Sequence, residues 1–122
     1  MKGYQVTFFT EYRTAHGHEP LHEWLLRLGK SLGIEGGTSV VGAEGFGRSG
    51  KLHLAHFFSL ADQPVEVTMA MTGDQVTALF GRLDQEKLDV FYVKTAVEFG
   101  TVGSKATSHS FKFADANFED NA

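Results

Sequence analysis

The stretch Gly45-Phe46-Gly47-Arg48, with Lys51 three residues on, has the composition of an anion-binding loop. Glycines let the backbone adopt positive φ and bring N–H groups close to a bound phosphate. Arg48 offers a planar, bidentate cation, Phe46 an apolar plate and Lys51 a second positive charge. The plainer alternative is a hairpin whose glycines only turn the chain while Arg48 is solvated. A second group is His16, His18 and His22. A His-x-His pair with a third imidazole four residues on could hold a divalent transition metal. The alternative is polar histidines partnered by Glu19 and Glu23. His53 and His56 have opposite strand parity and do not form one site on one strand.

Other chemistries are excluded. The chain has 122 residues, 42% of them hydrophobic, enough for one compact domain and too few for two. It has no cysteine, so disulfides, thiolate metal sites and cysteine nucleophiles are ruled out. A formal net charge of -4 without a basic block disfavours nucleic-acid and anionic-membrane partners. No apolar run approaches the ~18 residues of a membrane span, and the start does not read as a secretion signal. The expectation is a cytoplasmic protein with no membrane insertion. Glu44 beside Arg48 is the only suspect pair for an enzyme, so the expectation is that the chain is not one.

These residues need elements to position them. Tyr4 to Thr10 alternates with period two and reads as a strand. Glu11 to Glu19 reads as a polar loop. Pro20 opens a helix at its first position, with Leu21, Trp24, Leu25, Leu28 and Leu32 as one apolar stripe and Gly33 at the left-handed C-terminal position. Thr38 to Val41 is a short strand, and Leu52 to about Leu60 a longer one. Val65 to Met71 alternates clearly, with Met69 and Met71 in the core. Thr72 and Gln75 form a capping box for a helix with Val76, Leu79, Phe80 and Leu83 inward. The charges at Arg82, Asp84, Glu86 and Lys87 read as a solvated face. Val90 to Thr95 is the last strand.

The order β-α-β-β-α-β is the ferredoxin-like, split βαβ arrangement, an α+β sandwich. Right-handed crossovers put both helices on one face of the antiparallel sheet. The other face, with Phe9, Thr68, Ala70, Phe91 and Val93, is too apolar to meet water alone, which predicts subunits paired sheet to sheet. The alternative cover is the segment from Ser104 to Ala122, which otherwise reads as a flexible tail after a domain over 1–103.

"GI-x-G-x-T…GFGR", placed after the first helix and across the second strand, resembles the signature of PII signal-transduction proteins. It is most similar to their shorter bacterial PII-like relatives of largely unassigned function. The resemblance covers about Lys2 to Gly103 and includes the MKGYQVTFFT opening and the closing FYVKTAVEFGTVG. It implies a homotrimer with its sheets packed inward and ligands in the clefts between subunits. The ligand class implied is an adenine nucleotide: ADP, AMP, ATP or a cyclic nucleotide. A loop after GFGR would report ligand state to a membrane transporter or a metabolic enzyme.

Residue by residue, Gly45, Phe46, Gly47 and Arg48 match the loop beside the nucleotide cleft. Thr38 matches the threonine of the second strand, although one extra residue before Gly45 makes Ser39 the alternative occupant. The glycine- and lysine-rich turn after the second helix is replaced by DQEKLDV, with only Lys87. The basic pair of the PII C-terminal region has no clear match here, and Lys94 and Lys105 are the only nearby cations. AMP, ADP, a cyclic nucleotide or another small anion suits this reduced charge better than a triphosphate. The resemblance also reaches a related trimeric family associated with metal tolerance, which links to the histidine group.

Overall fold

The computed structural model describes residues 1–46, 52–53 and 62–103. Gly47, Arg48, Lys51, most of the expected strand Leu52 to Leu60 and the whole tail lie outside the described residues. Within them the order is β1 (Lys2–Glu11), β2 (Ala15–His16), β3 (Glu19–Pro20), α1 (Leu21–Ser31), β4 (Gly37–Val41), β5 (Gly45–Phe46), β6 (Leu52–His53), β7 (Pro64–Met71), α2 (Gly73–Gln85) and β8 (Phe91–Glu98). The main sheet runs β4-β7-β1-β8, and every neighbouring pair is antiparallel. Without the two-residue ladders β2–β3 and β5–β6, this is the expected βαββαβ order.

Strand alternation divides the sheet. Val6 and Phe8 of β1 and Val65, Val67, Met69 and Met71 of β7 are all buried. They form one core with Leu21, Leu25 and Leu28 of α1 and Val76, Leu79 and Leu83 of α2, so both helices cover the same face. Each such side chain, fully buried, contributes about 1.5–3 kcal/mol of transfer free energy.

Both helices end in the same way. In α1 the Ile34 N–H donates to the Gly29 carbonyl and the Gly33 N–H to that of Lys30. This places Gly33 at φ +80, where a side chain would be strained. In α2 the Leu88 N–H donates to Leu83 and the Lys87 N–H to Asp84, but the left-handed position, φ +57, is held by Lys87. The start of α2 is the expected capping box: Thr72 Oγ1 accepts from the Gln75 N–H at 3.2 Å, and Gln75 Oε1 accepts from the Thr72 N–H at 2.9 Å.

Before α1, two boundaries differ from the sequence reading. Pro20 is not the first helical residue. Its ψ of 138 is extended, it pairs with Ala15 in the β2–β3 ladder, and the helix begins at Leu21. The segment read as a loop from Glu11 to Glu19 contains that ladder, turned by Gly17 at φ +64. A two-residue ladder is too short to carry a period.

Candidate functional site

The uncovered sheet face carries the predicted residues. Phe9, Phe91 and Val93 are 37%, 49% and 47% exposed, too large an apolar group for a face in water. Phe9 and Phe91 are cross-strand partners with ring centroids 5.7 Å apart. Thr7 and Thr68 face each other through hydroxyls 3.0 Å apart.

A cavity opens at each end of this face. At one end a cleft of about 760 Å³ is lined by Phe9, Phe91 and Pro64 of the sheet, Gly42, Glu44, Gly45 and Phe46 of the β4–β5 segment, Thr14 and Leu21 beside the β2–β3 hairpin, and Asp89 and Val90 before β8. Glu11 and Glu66 add two more carboxylates to its wall. Phe46 is 74% exposed. At the other end a hollow of about 410 Å³ is lined by Gln5, Gly36, Gly37, Thr38, Thr68 and Ala70, with Val97, Glu98 and Phe99 closing it. Gln5 and Phe9 stand about 13 Å apart along β1 at the usual rise of a strand, so these are two places.

The sequence-predicted loop residues therefore separate. Gly45 and Phe46 line the larger cleft; Thr38 lines the smaller hollow. Thr38 and Ser39 alternate across β4: Thr38 pairs with Thr68 on the open face, whereas Ser39 pairs with Val67, a core residue, and is half-buried. Thr38, and not Ser39, is thus the hydroxyl offered to the open face. Gly37 is required by packing, because a Cβ there would come within 2.8 Å of Met69 Cγ and 2.9 Å of Leu26 Cδ2. Of the nearby cations, Lys94 is on the helix side of the sheet, its Nζ 4.8 Å from the centre of the Tyr4 ring.

The three histidines do not converge, which corrects the expected metal group of His16, His18 and His22. Among the described residues no set of three potential ligands comes together. His16 Nε2 is 2.8 Å from Glu86 Oε1. An ionised carboxylate only accepts, so the imidazole donates. His18 is exposed on the hairpin, and His22 is buried with its ring 5.2 Å from that of Tyr12. Among the described residues, His22 Nδ1 has no partner.

Glu86 is correspondingly not a solvated charge. The hydrogen bond from His16 holds its carboxyl below the usual range; partial burial opposes this, and Arg82, with Nε 3.4 Å from Oε2, adds to it. Sequence reasoning missed this pair because the partners are 70 positions apart. It also missed Glu66 and Asp89 in the cleft. Parity could have placed Glu66, which alternates with the buried Val65 and Val67 and pairs with Phe9.

A family model matches residues 3–99. The chain belongs to the DUF190 family (Uncharacterized ACR). No curated protein matches it in sequence. Among solved structures, this DUF190 chain is similar to CPII, a nitrogen regulatory PII-like protein from Thiomonas intermedia K12 bound to ADP, AMP and bicarbonate. The TM-score is 0.60 and the identity 19%, over 83% of this chain and 91% of CPII. It is also similar to a PII-like signalling protein of Thermus thermophilus, TTHA0516, with a TM-score of 0.59, 18% identity, and 80% and 88% of the two chains covered. A third likeness is to CutA from Xylella fastidiosa, with a TM-score of 0.52, 16% identity, and 80% and 86% covered. The fold of this DUF190 protein is therefore PII-like, a ferredoxin-type sandwich. No described helix is long and apolar enough to cross a membrane.

Proposed function

We propose that this protein is a PII-like regulator that binds an adenine nucleotide in clefts between subunits of a cytoplasmic homotrimer. The observation that carries the reading is the position of Gly45 and Phe46: the start of the GFGR segment lines the cleft of about 760 Å³ at the edge of the uncovered apolar face. Joining subunits through that face removes Phe9, Phe91 and Val93 from water and turns the cleft into a seam. The presence of ADP and AMP on CPII supports the ligand class. In this reading Arg48, with Gly47, Lys51 and the open-face hydroxyl of Thr38 rather than that of Ser39, serves the nucleotide. The regulated partner is a transporter or an enzyme, and the protein itself catalyses nothing.

The cleft's own charges narrow the ligand. Glu11, Glu44, Glu66 and Asp89 line it, and carboxylates repel a phosphate chain. AMP, ADP or a cyclic nucleotide is favoured over ATP, with Arg48 and Lys51 as counter-charges. Titration calorimetry with an adenine-nucleotide panel tests this. Saturable binding of a mono- or diphosphate is expected, weakened by Arg48→Ala by about 1.5–3 kcal/mol, the value of a charge-assisted hydrogen bond. Absence of heat and of thermal shift across the panel would overturn the ligand class.

A further inference from the structure

The β2–β3 hairpin is held from two sides. Glu19 is bound by Arg27 of α1. His16 is bound by Glu86 at the C-terminal end of α2, with its ring 4.5 Å, edge-on, from the Trp24 ring. The residues flanking this second attachment line the large cleft: Thr14 and Leu21 on the hairpin side, Asp89 and Val90 on the α2 side. Thr14 and Leu21 are joined by the Leu21 N–H donating to the Thr14 carbonyl at 2.8 Å, so the hairpin moves as a unit. Between Glu86 and Asp89 the chain passes through Lys87 at φ +57, a conformation that a side chain resists. The His16–Glu86 bond thus joins the hairpin wall of the cleft to the wall that follows α2.

We infer that the His16–Glu86 bond is a proton-sensitive clasp that sets the spacing of the two cleft walls, 14–21 and 86–90. Imidazole is the side chain whose charge ordinarily changes between about pH 5 and 8. A protonated His16 donates to Glu86 as one ion to another, a stronger bond than the neutral one. The other charged groups on the surrounding elements have their own relations. Glu19 is engaged by Arg27, Glu23 lies 3.9 Å from His22 Nε2, Arg82 shares Glu86, Glu11 and Asp89 have partners of their own, and Asp84, His18 and Lys87 are exposed. Because its carboxyl is held below the usual range, Glu86 stays ionised throughout the interval in which an imidazole changes charge. The clasp is accordingly tight in mild acid and loosens as pH rises, and it fails at the acid end only when Glu86 itself is protonated.

As a control of ligand entry this rests on the cleft being the nucleotide site; as a clasp it does not. An amide NMR pH titration of the full chain between about pH 5 and 8 reads it directly. The Thr14, Leu21, Asp89 and Val90 signals should move together, following the His16 ring. The movement should be lost in His16→Gln, which keeps a neutral donor, and reduced severalfold in Glu86→Gln. Four still signals, or the same movement in His16→Gln, would overturn the clasp. The second arm measures AMP and ADP affinity at both ends of the range, expecting a severalfold change in the wild type and none in His16→Gln. An affinity that is identical at both ends would overturn the control of entry. If neither nucleotide binds at any pH, the ligand reading fails while the amide titration still decides the clasp.

Discussion

Phe8 and Phe9 are neighbours in β1 and differ in everything but their side chain. Phe8 is 0% exposed, packed 6.0 Å from the Phe80 ring in the core. Phe9 faces the other way and is 37% exposed against Phe91. One face of the sheet is finished by the chain's own two helices. The other has the residues of an interior and no cover among the described residues. The comparison teaches that the chain's own packing finishes one face and leaves the other open, and that adjacent positions report on each separately.

The largest effect tests that division most bluntly. Phe8→Ala should cost about 3–5 kcal/mol in chemical denaturation, the range for emptying an aromatic site in a core. Phe9→Ala in the separated subunit should cost well under half of that; equal losses would mean that the open face is also part of the subunit's own core. Next, Val93→Glu sets a carboxylate among the exposed apolar residues. Light scattering should show the assembly falling to the mass of one chain, with the helical circular dichroism retained. An unchanged mass at working concentration would remove sheet-to-sheet pairing. The smallest effect sharpens the covered side: Thr72→Ala deletes the side-chain half of the capping box and should lower stability by about 1 kcal/mol. No change would show that packing of Val76 and Leu79 alone fixes the start of α2.

Signals that act within a few residues were readable from the sequence. The Thr72–Gln75 box, the left-handed Gly33, the stripes of both helices and the placement of Phe9, Thr68, Ala70, Phe91 and Val93 on one face all depend on local spacing. The last strand was placed but stopped early, at Thr95 rather than Glu98, because Lys94 and Thr95 look like an ending although the pairing with β1 continues to Lys2. The histidines misled for the opposite reason. Convergence on a metal depends on where a chain 70 residues away comes to lie, and Glu86 reaches His16 first. Thr38 and Gly45, read as one stretch, line different cavities because β4 carries them to different ends of the sheet. The left-handed Lys87 had no local signal, since glycine is the residue expected there.

The alternation of β4 restricts where the polypeptide can change length. Gly37 to Val41 are locked opposite Met69 to Val65. One residue added or deleted in the turn at Gly36 would rotate the whole strand by half a period. Thr38 would then point at the helices, and the close approach that Gly37 allows would fall on a residue with a side chain. Indels on this side of the molecule are therefore expected beyond Val41, where the chain has left the sheet and spacing no longer dictates which way a residue points.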